Sequence, residues 1–222
     1  MAFECQQNES KTKDSSIVMV RSSSSCYSVP MLRDAPIKTG ATFEEYVAFE
    51  TTSDVRHEFI DGNLFRMAGG TRRHNFLTNR LTMKLFDVAL QKNCVVYSSD
   101  VIVRLPSGKG FYPDVFVTCD SSMDSAQVVQ RPCIIIEVLS TSTEIFDRRE
   151  KWEQYQQLPT LEQYILLSQS EPVAEVYSRR GEQWLYERVT GDAALRFPLL
   201  ELQFALSEIY AGASAVSFDE TD

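Results

Sequence analysis

The chain has 222 residues, with 22 Lys and Arg against 31 Asp and Glu and a formal net charge of −9. At 43% hydrophobic and 11% aromatic residues it has the apolar content for a real core, which excludes wholesale disorder. The acidic balance argues against a nucleic-acid binder that is positive over its whole surface, because phosphate binding rests on Lys and Arg displacing counterions; one face can still carry the opposite sign.

Residues 1–36 read as a flexible tail outside the fold: they contain the run Ser22–Ser25 and no sustained hydrophobic period. Near the N-terminus only Ile17–Val20 is apolar, and Asp14 lies just upstream, so no signal peptide is visible. The longest apolar runs, such as Cys133–Ile136 and Ile165–Leu167, are far too short to span a bilayer. The five cysteines, Cys5, Cys26, Cys94, Cys119 and Cys133, include no C-x-x-C pair. They read as buried free thiols in a reducing compartment rather than a disulfide framework or structural zinc site. The expected location is cytoplasmic, without membrane contact. One domain is expected over residues 37–212, with an acidic C-terminal tail over 213–222.

Structure should begin at Thr42, which forms a capping box with Glu45 ahead of a short helix ending near Phe49. Two apolar runs then flank Asp61-Gly62, the strongest short hairpin signal. From Arg73 to about Gln91, Phe76, Leu77, Leu81, Leu85, Phe86 and Leu90 recur at helical spacing and predict an amphipathic helix. Strands are predicted over Val95–Leu105, Phe111–Val117 and Cys133–Leu139, the last apolar enough to lie centrally with both faces covered. A helix from about Ser142 or Thr143 to Leu158 follows, then a strand over Leu161–Ser168. A hairpin joins Val173–Ser178 to Trp184–Val189, and a last short helix covers Leu206–Tyr210. This order predicts a mixed α/β (α+β) fold, with helices packed on a central sheet and hairpins added before and after.

The carboxylates that stand out are those embedded in strands, where an ionised group needs a partner. Asp114 lies in Tyr112-Pro113-Asp114-Val115-Phe116-Val117, and Glu137 in Ile134-Ile135-Ile136-Glu137-Val138-Leu139. A divalent cation would compensate such acids, and oxygen ligands with otherwise open coordination suit Mg²⁺ or Mn²⁺. Either acid alone could equally face solvent at a strand end or pair with an arginine. Asp147 and Lys151 share a helix face at i, i+4, and their helix leaves the strand of Glu137 after Ser140-Thr141-Ser142, so the lysine can reach back to that strand end.

Taken in order, Glu58-Phe59-Ile60-Asp61-Gly62, Arg73-His74-Asn75, Asp100-Val101, Pro113-Asp114-Val115, Glu137-Val138-Leu139-Ser140 and Asp147…Lys151 resemble the motif set of Uma2-type (DUF820) proteins, within the PD-(D/E)xK nuclease superfamily. The resemblance covers about Thr42 to Tyr210 and implies a restriction-endonuclease-like core. It implies a metal-dependent endonuclease acting on DNA, with Asp114 and Glu137 holding Mg²⁺ (or Mn²⁺). The superfamily lysine normally stands two residues after the second acid, where this chain has Leu139; Lys151 is then the migrated catalytic lysine. Glu58 resembles an upstream acid directed at the same metal, while Asp100 and Asp147 are candidates to supplement the site. Arg72, Arg73 and His74 are candidates for nucleic-acid contact, and a homodimer is expected by analogy with nucleases that cut both strands.

Split along the chain, the net charge is +1 over residues 1–40, −4 over 41–70, +5 over 71–110 and −11 over 111–222. The positive stretch lies just ahead of the Pro113-Asp114 segment and supports a local phosphate-facing surface. Two other readings stand beside the nuclease. One is a nuclease-fold binding module in which Leu139 marks a lost lysine; the other is a metal-free carboxylate enzyme such as a glycosidase, for which Trp152 and Trp184 offer no sugar-stacking pattern.

Overall fold

The computed structural model describes residues 10–11, 17–20, 35–141 and 143–215. Strands β1 (Ser10–Lys11) and β2 (Ile17–Val20) come first, then helix α1 (Phe43–Glu50). The expected capping box holds α1 in place, with Thr42 and Glu45 each bonded to the other's backbone N–H. The hairpin of β3 (His57–Ile60) and β4 (Asn63–Arg66) turns on Asp61-Gly62, both at positive φ (50° and 81°). That is the backbone geometry a tight hairpin demands and few other residue pairs supply. Helix α2 (Arg72–Gln91) buries Leu77, Leu81, Leu85 and Ala89; of the other residues the spacing placed on its apolar face, Phe76 is half-buried while Phe86 and Leu90 are exposed.

The next two predicted strands are each broken in the structure. Val95–Leu105 becomes β5 (Val95–Ser98) and β6 (Ile102–Arg104), and Phe111–Val117 becomes β7 (Gly110–Phe111) and β8 (Val115–Thr118). The members of each pair belong to different sheets, so the chain passes between layers at Ser99–Val101 and again at Tyr112–Asp114. Ser99, at φ 54°, marks the first crossing. After β9 (Val128–Val129) comes β10 (Pro132–Leu139), buried along its whole length as expected.

A helical run then comprises α3 (Glu144–Phe146), a π-helical turn (Asp147–Lys151) and α4 (Trp152–Tyr155). It returns the chain to β11 (Gln163–Ser168), parallel to β10, as a crossover connection requires. Strands β12 (Val173–Arg180) and β13 (Gln183–Thr190) form the expected hairpin. A second hairpin, β14 (Ala194–Phe197) and β15 (Leu202–Ala205), was not foreseen, and α5 (Ser207–Tyr210) follows it.

The central sheet has the order β1-β2-β13-β12-β11-β10-β8-β5, and the smaller sheet β4-β3-β7-β6-β9. Side-chain alternation on β10 divides the core. Ile134, Ile136 and Val138 pack on the face covered by α2 and the β14–β15 hairpin, while Ile135 and Leu139 join Phe116, Phe111, Tyr155 and Tyr164 on the face toward the helical run and the smaller sheet. Trp152 and Trp184 sit within this second core, Trp152 stacked on Tyr177 with ring centroids 4.3 Å apart.

Within the residues expected as a tail, Ser10–Lys11 and Ile17–Val20 are strands of the central sheet, β1 at its edge and β2 between β1 and β13; the rest of residues 1–34, and residues 216–222 of the expected acidic tail, lie outside the described residues. One expectation is corrected. Cys94 and Cys119, read as free thiols, form a disulfide, and among the described residues only Cys133 is the buried free thiol expected. The pairing Val95↔Thr118 between β5 and β8, carried on by one residue, sets Cys94 opposite Cys119; Cys5 and Cys26 lie outside the described residues. Among the described residues, no helix is long and apolar enough to cross a membrane.

Candidate active site

The register of β8 against β10 pairs Val117 with Ile134, Phe116 with Ile135 and Val115 with Ile136. Continued by one residue it sets Asp114 opposite Glu137, on neighbouring chain segments and on the same face. The two acids interlock. The Asp114 N–H donates to Glu137 Oε2 (3.2 Å), and the Val138 N–H donates to Asp114 Oδ2 (2.7 Å). Each carboxylate is thus oriented by the other's strand, and Pro113 ahead of Asp114 keeps the crossing segment extended.

Lys151 is delivered to the same place from the π-helical turn. Its Nζ donates to Glu137 Oε1 (3.0 Å), and it forms ion pairs with Asp147 Oδ1 (3.1 Å) and Glu58 Oε1 (3.4 Å). π-helical turns widen a helix locally and recur at functional sites. Leu139, at the position where a lysine would normally stand, is buried in the apolar core instead.

Glu58, Glu137, Asp147 and Lys151 are all buried. Burial pushes Glu137 well above the usual carboxylate range; Lys151 pulls it back, and the charges of Asp114 and Asp147 push it further up. Asp147 is raised for the same primary reason. Burial alone would lower Lys151, yet Asp147, Glu137 and Glu58 together hold its ammonium well above its ordinary value. The cluster is a surplus of carboxylates around a single ammonium.

His74 joins the cluster from the first turn of α2. Its backbone N–H is capped by Thr71 Oγ1 (3.1 Å), and its Nε2 lies 3.0 Å from Asp114 Oδ2. Burial pulls its pKa down, but the hydrogen bond and charge of Asp114 outweigh this and raise it overall.

The other expected residues fall elsewhere. Asp100 is not brought to the cluster: its side chain is 74% exposed and pairs with Arg56 Nε (3.1 Å). Arg73, expected at a phosphate, turns onto backbone carbonyls of Gln169 (2.6 Å), Ser170 (3.1 Å) and Ala213 (3.3 Å), where it ties α2 to the loop after β11. Arg72 stays exposed. Glu58, expected as a further metal ligand, is brought to the cluster, where it pairs with Lys151.

Sequence reasoning missed Tyr155 and Tyr164. Tyr155 Oη donates to Glu137 Oε1 (3.1 Å), and Tyr164 Oη donates to the Asp147 carbonyl (2.9 Å). Tyr155 stands four residues after Lys151, and that spacing on one helix is the signal that could have found it. His57, given no role from sequence, lies in a buried network beside the site. Glu50 accepts from the His57 N–H (3.2 Å) and the Tyr112 hydroxyl (2.8 Å), and its other oxygen lies 2.8 Å from His57 Nδ1. This network anchors α1 and β3 to the crossing segment that carries Asp114.

The donor set fits a hard divalent cation. Asp114 Oδ1 takes no hydrogen bond among the described residues, and Glu137 Oε2 takes only the Asp114 N–H. Two carboxylates with spare acceptor capacity suit Mg²⁺ or Mn²⁺, which keep several waters. Among the described residues, no three His, Cys, Asp or Glu side chains form a ready-made ligand cage.

A mixed central sheet with this acid pair on adjacent strands, and a lysine presented beside it from the crossover helix, defines a nuclease-like fold of the restriction-endonuclease kind. The chain belongs to the Uma2 family, described as "Putative restriction endonuclease", whose profile matches residues 43–208. Two uncharacterized Synechocystis proteins, slr1290 and sll1609, are each 31% identical to it over 172 and 173 residues, covering 76% of this chain and 90% and 94% of theirs. The crystal structure of a "putative nuclease belonging to DUF820" from Anabaena variabilis superposes with a TM-score of 0.60, covering 78% of this chain and 98% of that one at 15% identity. The last comparison bears on fold alone.

Proposed function

We propose that this protein is a divalent-metal-dependent endonuclease that hydrolyses DNA phosphodiester bonds. The observation that carries the reading is the interlock of Asp114 and Glu137, with Lys151 brought to Glu137 from the following helix while Leu139 is buried. Asp114 and Glu137 would hold Mg²⁺ or Mn²⁺, which supplies an acidified water and positive charge against the phosphoryl oxygens.

The chain's own residues do the rest. Tyr155 and Lys151 fix Glu137 Oε1, leaving Oε2 for the cation. Lys151, bonded to Glu137 beside the free Oε2, sets a positive charge against the charge that develops on the phosphate. His74 holds Asp114 in place, and Asp114 in turn raises the His74 pKa, which favours its protonated form where an anionic strand would arrive. A chain with one such site cuts both strands of a duplex when paired with a second copy, so a symmetric homodimer belongs to the proposal.

A second reading, a nuclease-fold module that binds DNA without cutting it, draws support from Lys151, whose ammonium is taken up by three acids. Cleavage of duplex, single-stranded and branched DNA under Mg²⁺ and Mn²⁺ separates the two. The enzyme reading expects cleavage that chelator abolishes, and that Asp114→Asn and Lys151→Ala each reduce by about 10²-fold or more. Binding of these DNAs without cleavage of any of them sinks it in favour of the module.

A further inference from the structure

Beside the acid cluster, an open groove of about 620 Å³ runs along the first three turns of α2. Its lining includes Arg72, Asn75, Phe76, Asn79, Arg80 and Met83, residues three to four apart that share one helix face. Gly70 forms part of the groove's wall, and a Cβ there would come within 2.9 Å of His74 Nδ1, while His74 Nε2 is the atom bonded to Asp114.

The lining is chemically graded. Phe76 is half-buried against the main core, and Met83 is 69% exposed, which gives the groove an apolar, polarizable floor. Asn79 Nδ2 donates to Asn75 Oδ1 (2.9 Å). This bond fixes both amides and leaves a donor, Asn75 Nδ2, beside an acceptor, Asn79 Oδ1. Arg72 is exposed, with no ion pair among the described residues. Arg80 gives Nη2 to the Glu208 carbonyl (2.6 Å), and its buried Nε has no hydrogen-bond partner among the described residues.

We propose that this groove seats one nucleotide of the substrate strand next to the scissile phosphate. Its backbone phosphate lies against Arg72, its base covers Phe76, and its N7 edge meets the Asn75–Asn79 pair. The proposal rests on the endonuclease reading for its substrate class. A donor beside an acceptor matches an edge that offers one of each, as adenine N7 and N6 do, whereas guanine N7 and O6 offer two acceptors. Bonded to that N7 edge, the pair would select adenine over guanine. Flat stacking of the base on an aromatic surface adds affinity that does not depend on sequence.

The test measures binding separately from cleavage. Short fluorescent oligothymidylates carrying one central adenine or one central guanine are titrated with the full chain in chelator and followed by anisotropy. The adenine probe should bind about 10-fold tighter, in line with one good two-point contact. The double variant Asn75→Ala/Asn79→Ala, both at exposed positions, should lose that preference with its circular dichroism unchanged. Arg72→Ala should weaken both probes alike and reduce the salt slope by about one. Equal binding of the two probes by the wild-type chain, no binding of either, or a preference that survives in the double variant would overturn the groove assignment. Cleavage reports on the other reading independently: DNA cut under Mg²⁺ while the α2 variants change nothing sinks the groove alone. Adenine-selective binding abolished by the α2 variants, with no cut under either metal, sinks the endonuclease alone.

Discussion

Replacing Lys151 by methionine tests the electrostatic account of the site most directly. The wild-type ammonium lies 3.0, 3.1 and 3.4 Å from oxygens of Glu137, Asp147 and Glu58, all of them buried. Methionine keeps most of the side-chain length and removes the charge, so three acids lose their common partner. Removing one member of a buried ion pair typically costs about 3–5 kcal/mol, because the remaining charge stays desolvated. In a chain of this size about 4 kcal/mol corresponds to a fall in Tm of roughly 8–16 °C.

The loss depends on pH in a stated direction. Burial already raises Glu137 and Asp147 above their ordinary values, and without Lys151 both rise further. A carboxyl whose folded pKa is raised binds more protons in the native state than in the unfolded one. Stability therefore falls as pH climbs from the ordinary carboxylate range through the raised values. The Lys151→Met penalty should be larger at pH 8 than at pH 5, the reverse of ordinary acid denaturation. Urea unfolding of both proteins at the two pH values, followed by circular dichroism, measures it. A penalty below about 1 kcal/mol at pH 8 would refute the argument, since it falls in the range of an exposed ion pair. A penalty equal at pH 5 and pH 8 would refute it as well.

Other consequences follow from the same geometry. Tyr155→Phe removes a donor to a buried carboxylate and should cost about 1.5–3 kcal/mol in unfolding, with smaller apolar disturbance than any truncation at that position; a cost near zero would show that Glu137 does not depend on it. Gly70→Ala should displace the His74 ring from Asp114 and lower the His74 pKa, read from the pH dependence of its ring carbon-bound proton resonances; an unchanged titration would mean the ring tolerates the methyl group. Reduction of Cys94–Cys119, 25 residues apart, should lower stability by about 3 kcal/mol through loop-closure entropy. Thiol titration under native and denaturing conditions, with unfolding before and after reductant, tests both the bond and its effect.

How far the sequence reached depended on the range of the interactions concerned. Local signals were legible: the Thr42 capping box, the Asp61-Gly62 turn and the apolar face of α2 each depend on residues within one or two turns of each other. The acid pair was legible too, because an acid flanked by Val, Ile and Phe is conspicuous. What failed was non-local or cryptic. Val101, Val103 and Leu105 alternate with Ile102 and Arg104, and only Ser98-Ser99-Asp100 ahead of them hinted that the strand divides between two sheets. The turn between β14 and β15 passes through Glu201 at φ 52°, a conformation usually announced by Gly or Asn and here by neither. The Cys94–Cys119 bond follows from strand register, which spacing along the chain does not encode. Arg73 and Arg72 look alike in sequence, and only the carbonyls arrayed around Arg73 separate a clamp within the fold from a side chain free to meet a ligand.

The two crossings of the chain between sheets, at Ser99–Val101 and Tyr112–Asp114, have a mechanical consequence. They lie next to each other and act as the spine along which the smaller layer joins the central one. The acids of the site belong to different leaves: Glu58 rides on β3 of the smaller sheet, Glu137 on β10 of the larger. Lys151 clasps one to the other. Under the proposed function, a phosphate that drew this ammonium toward itself would loosen the clasp between the two leaves.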